Sequence, residues 1–226
     1  MNFYFLKKTF NYMFEELVLF VPPLLVFLIL FSVAIVFGIG MSANILINHP
    51  PTKPTAYLIA FLFSFFSFFL SVISGSLVIY MTYEKEESGR ANLSTSFSEV
   101  MNRIGAVILA SLLVSIVVSI GFALFVIPGF IALLFFMFTL QEILLSEKEI
   151  GESIKGSFNL VKDNFGEVFI CFLAVIIIDM LISTVLKFVP LFGGILAQMF
   201  SVVFANVSFT LIYIELKDKE TEFSHQ

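Results

Sequence analysis

Six apolar stretches, separated by short polar segments, dominate the hydropathy pattern of the chain. They cover approximately residues 17–38, 56–81, 104–127, 130–145, 167–189 and 191–214. A helix needs about 20 residues to cross roughly 30 Å of hydrocarbon, whereas a barrel strand needs about ten residues of alternating polarity. The fourth stretch is barely long enough to cross, and no such alternation occurs. The pattern therefore predicts an all-α polytopic membrane protein with six transmembrane helices.

Short segments with one apolar face precede three of the spans and predict amphipathic helices lying along the membrane surface. They lie at residues 1–16, before span 3, and before span 5. Ser96, with Glu99 three residues later, has the spacing of a helix-capping box for the second segment. The first and third share a Thr/Ser-Phe-Asn sequence, at Thr9 and Ser157. Two interpretations of this likeness stay open: a threefold repeat of a short helix and a two-span hairpin, or chance similarity in a Phe-rich chain.

Proline, glycine and charged residues mark the predicted boundaries of the spans and of the domain. Pro128 and Gly129 interrupt the apolar sequence between spans 3 and 4 and predict a hairpin turn there. Polar residues from 217 to 226 predict a cytoplasmic tail, which leaves residues 1–216 as a single membrane domain.

Lysine and arginine are distributed unevenly between the two sides of the predicted membrane. Six spans put both termini on one side, and only Lys53 and Lys187 of the 12 basic residues fall opposite them. The basic residues on the side of the termini are Lys7, Lys8, Lys85, Arg90, Arg103, Lys148, Lys155, Lys162, Lys217 and Lys219. Cytoplasmic loops carry the excess of positive charge in membrane proteins. The chain is therefore predicted to lie in the cell membrane with both termini inside.

Composition supports the membrane assignment and removes several classes of function. Hydrophobic residues make up 59% of the chain and the mean hydropathy is +1.05, outside the range of ordinary soluble domains. Neither histidine lies in a span, and no nucleotide-binding motif or Cys/His cluster occurs, so we predict no catalytic residue, no metal site and no cofactor. A net charge of −5 with two arginines gives no support for binding nucleic acid.

Asp179, at the centre of span 5, is the strongest candidate for a functional side chain. A carboxylate in hydrocarbon is costly, so it is either protonated or paired inside the bundle. If the chain folds back at Pro190, Ser201 and Asn206 on span 6 come within reach of Asp179. Two interpretations follow: a buried polar clasp between two helices, or a site that handles protons or cations.

Residues 126–165 carry a resemblance to known proteins. The matching features are Ile127-Pro128-Gly129-Phe130, the acid Glu142 at the end of the next span, and the pattern of Ser157, Leu160, Lys162, Asn164 and Phe165. This stretch resembles a broad group of uncharacterised prokaryotic six-helix membrane proteins, among them the membrane domain attached to some glycerophosphodiester phosphodiesterases. Ser153 departs from the alanine usual in that group. The resemblance implies the six-helix fold, while the phosphodiesterase activity belongs to a separate soluble domain.

The predicted topology puts the polar part of this stretch at the cytoplasmic interface. The residues concerned are Glu142, Ser157, Lys162 and Asn164. Glu142 lies about one turn inside the boundary, where it is expected to reach the surface or to meet Lys148 or Lys155.

Together these patterns predict a non-catalytic integral membrane module that organises lipid, or a partner protein of the membrane or cytoplasm. The alternative is a small transporter or channel that uses Asp179. Transport requires a water-accessible cavity that reaches Asp179. An organising module requires instead a dry core and an exposed apolar groove or lipid-filled cleft.

Overall fold

A computed structural model describes residues 4–47 and 53–224, with side chains at 4–36, 55 and 57–222. The described residues are helical almost throughout, and none of them lies in a strand, so the all-α prediction is confirmed. The α-helices are α1 (Tyr4–Glu15), α2 (Val21–Ile47), α3 (Lys53–Ser88), α4 (Leu93–Asn102), α5 (Ile104–Leu124), α6 (Val126–Phe136), α7 (Thr139–Leu145), α8 (Ile150–Asp163), α9 (Phe165–Lys187) and α10 (Gly193–Ser224). A short 3-10 helix, Leu17–Phe20, connects α1 to α2.

Six helical segments of the described chain are long and apolar enough to cross a membrane, which indicates a multi-pass membrane protein. They are Leu17–Val36, Tyr57–Ser88, Ile104–Leu124, Val126–Leu145, Phe165–Lys187 and Gly193–Glu222. The last helix continues beyond its predicted end, so that the segment predicted as a polar tail is helical as far as Ser224. Ion pairs from Lys217 to Glu142 and from Lys219 to Glu167 hold this extension against the bundle. Residues 225–226 lie outside the described residues.

The order of elements is a short amphipathic helix followed by two spans, and this order occurs three times. The short helices α1, α4 and α8 lie at one end of the bundle, together with the ends of α3, α7 and α10. We call this the charged end. Contacts that join these elements include Thr9 Oγ1 to Ser208 Oγ at 3.2 Å, and Lys8 to Glu86.

The predicted capping box at Ser96 does not begin α4. The helix starts one turn earlier, where the Asn92 side chain accepts hydrogen bonds from the backbone N–H groups of Ser94 (2.9 Å) and Thr95 (3.4 Å). Asparagine is at least as good an N-cap as serine, so the earlier start is favoured. Ser96 is instead buried within α4, and its hydroxyl donates to Glu84 at 3.1 Å.

The reversal between spans 3 and 4 lies three residues before the predicted turn at Pro128 and Gly129. Phe125 has an extended backbone, and α6 begins at the next residue. Pro128 is therefore the third residue of a helix, where its missing N–H costs little. A Cβ atom on Gly121 would lie 2.9 Å from the Cα of Gly129, and one on Gly129 would overlap the Phe122 ring. The glycines thus permit close packing of α5 on α6.

The fourth span is broken in the middle, although its sequence has no proline or glycine at that point. Helix α6 ends at Phe136 and α7 begins at Thr139. Ser157 of α8 is fully buried beside the break. Its hydroxyl accepts a hydrogen bond from the N–H of Phe138 (3.1 Å) and donates one to the carbonyl of Phe135 (2.8 Å). A side chain of another helix thereby supplies partners for backbone groups that the break releases.

The buried core lies in the half of the bundle nearest the charged end. Its fully buried side chains include Leu19, Met81, Phe138, Phe204 and Leu216. The outer half of α3, by contrast, exposes a succession of large apolar side chains, and residues 24–36 of α2 are similarly exposed. Examples are Leu25, Leu28, Leu58, Phe61 and Leu62. The hairpin of α2 and α3 is consequently less enclosed by protein than the hairpin of α9 and α10.

Replacing Gly121 with alanine should lower the free energy of unfolding by about 1–3 kcal/mol, because the added methyl group meets the backbone of Gly129. Gly105 is the matched control in the same helix, since no atom lies within 4 Å of its Cβ position. Gly105→Ala should be neutral or stabilising by up to about 1 kcal/mol. Unfolding of the full chain in one detergent measures both, and equal effects would contradict close packing at Gly121.

Replacing Ser157 with alanine removes its hydroxyl and adds no atom to the buried site. The change should cost about 1–3 kcal/mol of stability, because the buried N–H of Phe138 loses its partner. Thr184→Val is the control, since the Thr184 hydroxyl is exposed and bonds the Met180 carbonyl of its own helix. Thermal unfolding compares the two variants, and a Ser157 variant as stable as the control would show that the bridge contributes little.

Candidate functional site

Asp179 lies half-buried on α9 and faces α10. The Ser201 hydroxyl donates to Asp179 Oδ2 at 2.9 Å, and the Ser183 hydroxyl lies 3.5 Å from Oδ1. The two serine oxygens are 2.9 Å apart and complete a triangle of polar groups. The sequence analysis indicated Ser201 and missed Ser183. The spacing of one helical turn between Asp179 and Ser183 could have indicated it. This arrangement has the geometry of a polar clasp between two helices.

Asn206, the other predicted neighbour of Asp179, lies elsewhere. Its Nδ2 donates to the Val202 carbonyl at 2.8 Å, and its Oδ1 is 3.5 Å from the Cβ position of Gly75 on α3. Five residues separate Asn206 from Ser201, which corresponds to about 140° around a helix. The two side chains therefore face different neighbours, and the structure brings only Ser201 to Asp179.

Glu142 is fully buried at the charged end and is surrounded by elements distant in sequence. Its Oε2 lies 2.6 Å from Lys148 Nζ, and its Oε1 lies 3.0 Å from Lys217 Nζ on α10. A Cβ atom on Gly156 of α8 would lie 2.8 Å from the Glu142 carboxyl carbon. Of the two lysines expected from sequence, Lys148 makes the pair and Lys155 is not one of the two ion-pair partners. Lys217 was missed because only the fold brings α10 to α7.

A polar cavity of about 500 Å³ opens beside this cluster. Its wall includes Tyr83, Glu87, Ser146, Tyr213, Lys217 and Asp218. The hydroxyls of Ser146 and Tyr213 are 2.7 Å apart, and Lys217 also pairs with Glu220 at 2.9 Å. Because its carboxylates outnumber its ammonium groups, the wall favours cations over anions.

The other residues predicted at the cytoplasmic interface have different surroundings. Ser157 is buried at the break in the fourth span, whereas Lys162 is exposed near the end of α8. Asn164 ends that helix, and its Nδ2 donates to the Leu160 carbonyl at 3.0 Å. Of the four predicted residues, only Glu142 and Ser157 therefore belong to the buried interior. Ser157 is part of α8, and Glu142 lies against it.

Helix α1 is held on the end of α3 by a second set of polar contacts. The Glu86 carboxylate accepts hydrogen bonds from Lys8 Nζ and from the Tyr12 hydroxyl, each at 2.5 Å. Lys85 forms an ion pair with Glu16 at 2.9 Å. Burial raises the pKa of Tyr12 above its ordinary value, and the hydrogen bond to Glu86 raises it further. These contacts join residues about 70 positions apart and have no signal in the local sequence.

An apolar recess with a volume of about 590 Å³ lies between α2, α3 and α4. We call it the α2/α3/α4 groove. Its walls are Pro22, Leu25, Val26 and Ile29 of α2, Leu70, Ile73, Ser74 and Leu77 of α3, and Leu93, Ser94 and Phe97 of α4. Asp179 is not part of its wall. Within residues 4–47 and 53–224, no group of three or more acidic, histidine or cysteine side chains is arranged to hold a metal ion.

Replacing Glu142 with glutamine should lower stability by about 1–3 kcal/mol, because Lys148 and Lys217 lose a buried counter-ion. The loss stays below that of a fully buried pair, since both lysines are partly exposed and can turn towards water. Glu147→Gln is the control: Glu147 is 72% exposed and pairs with Arg103, so its loss should cost at most about 1 kcal/mol. Thermal unfolding at neutral pH measures the difference, and equal shifts would contradict a structural role for Glu142.

Comparison with known proteins adds one finding to this geometry. Residues 46–215 match a family described as Domain of unknown function (DUF7847), and the match runs from the end of α2 into α10. No curated protein and no solved structure matches the chain. The resemblance to the membrane domain of glycerophosphodiester phosphodiesterases is thus not supported by these comparisons. Since the matched region comprises most of the chain, this protein belongs to the DUF7847 family.

Proposed function

We propose that the chain is a non-catalytic module of the cell membrane that organises lipid or a partner protein, and that lipid is the principal ligand. The α2/α3/α4 groove carries this proposal. It is open, about 590 Å³ in volume and almost entirely apolar, and it lies between spans whose outer faces are exposed. Small-molecule sites typically occupy about 300–1,000 Å³. A groove of this kind at membrane depth is continuously accessible to lipid.

The proposed orientation has the charged end and both termini in the cytoplasm. Ten of the 12 basic residues lie on the side of the termini, in agreement with the usual excess of positive charge inside. Five lysines of that side, Lys8, Lys85, Lys148, Lys217 and Lys219, take part in ion pairs that join elements of the charged end. Basic side chains therefore serve both orientation and packing.

The short helices are proposed to lie in the membrane interface. Each of them exposes at least one aromatic side chain at the charged end: Tyr4 and Phe14 on α1, Phe97 on α4 and Phe158 on α8. Aromatic rings of amphipathic helices are favoured in the headgroup region. Three such helices at one level would contact the lipid headgroups around the bundle.

The proposal retains kinship with the membrane domain attached to some glycerophosphodiester phosphodiesterases, which residues 127–165 suggested. From that relationship we adopt only the role of a six-helix membrane domain that is associated with lipid. No side chain of this chain is assigned a catalytic step.

A small transporter or channel is the second candidate, and Asp179 is the observation that favours it. A carboxylate in a span is a common feature of proton and cation pathways. Against this candidate, Ser201 already donates to one oxygen of Asp179 at 2.9 Å, and Ser183 lies 3.5 Å from the other. The α2/α3/α4 groove and the polar cavity beside Tyr213 also have walls that do not include Asp179.

Cysteine labelling distinguishes the two functions. In a background without Cys171, we expect single cysteines at Ser71, Ser115 and Ser201 to stay unreactive towards a membrane-impermeant maleimide, because a lipid-organising module has a dry interior. Ser88→Cys, exposed at the charged end, is the positive control, and it should react in inverted vesicles but not in intact cells.

Reaction at Ser201 would indicate a water path to Asp179 and would favour transport over lipid organisation. Labelling of the Ser88 control from outside intact cells would show that the proposed orientation is inverted.

A further inference from the structure

We infer that two turns at the end of the bundle opposite the charged end insert their side chains among the acyl chains of the membrane leaflet there, and so hold two hairpins at a fixed depth. The turns are residues 122–130, between α5 and α6, and residues 188–193, between α9 and α10. We call them the apolar turns. The inference goes beyond the proposed function, since it requires a membrane-spanning chain but not a lipid in the α2/α3/α4 groove.

The apolar turns contain no polar side chain and expose large apolar ones. Phe125 is 75% exposed and Phe188 is 83% exposed. Turns that reach water are normally rich in Gly, Asn, Asp and Ser. The connection from α3 to α4 at the charged end follows this rule, since residues 88–92 are Ser-Gly-Arg-Ala-Asn. The chemistry of the turns therefore differs between the two ends of the bundle.

The backbone of the apolar turns forms most of its hydrogen bonds without polar side chains. In residues 188–193, four of the five N–H groups donate to carbonyls of α9 or of the turn itself, at 2.8–3.1 Å, and Pro190 has no N–H. In the other turn, the Phe125 N–H donates to the Gly121 carbonyl at 3.0 Å, and Pro128 has no N–H. An unsatisfied N–H is costly away from water. This internal pairing suits a turn that lies where water is scarce.

Leu191 has a backbone conformation that leucine rarely adopts. Its φ is 68°, in the left-handed region where glycine and asparagine are favoured. Its side chain is 93% exposed and contacts little of the protein, so packing within the chain does not offset the strain. Contact with acyl chains does offset it, because transfer of an apolar side chain from water to hydrocarbon is favourable.

The helix lengths place the apolar turns at the far edge of the hydrocarbon. Phe188 lies 21 residues after Glu167 of the charged end. Phe125 lies 22 residues after Arg103. These separations correspond to about 32 and 33 Å along a helix, close to the roughly 30 Å thickness of the hydrocarbon. Lys187 is exposed just before the second turn, and its flexible stem lets the ammonium group reach the headgroups while the turn stays beneath them.

Lipid fits this surface better than a second protein does. The exposed apolar surface is not confined to the turns but continues along the sides of both hairpins, at Ile116, Ile120 and Leu124 of α5 and at Ile177, Leu181 and Val185 of α9. A protein interface is instead a bounded patch with an apolar centre and a polar rim. A surface that is apolar along the whole side of a hairpin matches the acyl chains of a bilayer.

The first test measures depth by spin labelling of the full chain in phosphatidylcholine nanodiscs. Single cysteines replace Ile127 and Leu191 in a background without Cys171, and each carries a nitroxide label. Collision of the label with oxygen, which concentrates in hydrocarbon, is compared with collision with a water-soluble nickel chelate. We expect the oxygen-to-nickel ratio at both positions to be several-fold higher than at Ser88 of the charged end, and similar to that at Leu181 on the side of α9.

The second test compares two left-handed residues in different surroundings. Glu147, between α7 and α8 at the charged end, has a φ of 56° and is 72% exposed. Asparagine adopts this conformation more readily than glutamate or leucine. Glu147→Asn should therefore keep or raise the unfolding temperature in nanodiscs. Leu191→Asn should lower it by several degrees, because the lost contact with acyl chains outweighs the better backbone preference.

Labels at Ile127 and Leu191 that collide with nickel as often as the Ser88 label would overturn the inference, and so would a Leu191→Asn variant at least as stable as wild type. Labels shielded from both oxygen and nickel would also overturn it, because a protein would then cover the turns. None of these results changes the labelling of Ser71 and Ser201, by which the proposed function is judged.

Discussion

The two hydrogen bonds of Ser157 are the contact on which the charged end depends. A break inside a membrane span releases backbone groups that lipid cannot satisfy, so the break is stable only where protein supplies partners. Ser157 supplies them from α8, and Gly156 at the preceding position allows that helix to approach the Glu142 carboxyl group. The position of α8 relative to α6 and α7 is thereby determined, and with it the start of α9 at Phe165.

Burial of Glu142 extends the same constraint to the last helix. A buried carboxylate requires counter-ions, and Lys217 brings α10 to α7 to provide one of them. Further ion pairs attach α1 to α3 and α9 to α10. The charged end is consequently a connected network, and the most completely buried side chains lie close to it. The α2 and α3 hairpin extends away from this network and is less enclosed by protein than α9 and α10.

That contrast gives the proposed lipid site its physical basis. Spans packed tightly against each other leave no space for a ligand, as α5 and α6 do at Gly121 and Gly129. Helices α2 and α3 instead present apolar side chains to the open α2/α3/α4 groove, which has a volume of about 590 Å³. Asp179 already has hydroxyl neighbours on α9 and α10. The apolar groove is therefore a better candidate for a binding site than Asp179.

Local hydrophobicity and its period along the chain were enough to predict an all-α protein, its six long apolar helices and the short helices that precede three of them. The sequence also identified Glu142, Ser157 and Ser201 as positions of interest. The contacts that these residues make follow from the fold. Several features depend on residues distant in sequence. They are the hydrogen bond of Phe138 with Ser157, the pairing of Lys217 with Glu142, the proximity of Asn206 to Gly75, and the groove between α2, α3 and α4. Such contacts depend on how the helices rotate and pack, and hydropathy carries no information about rotation within a uniformly apolar helix.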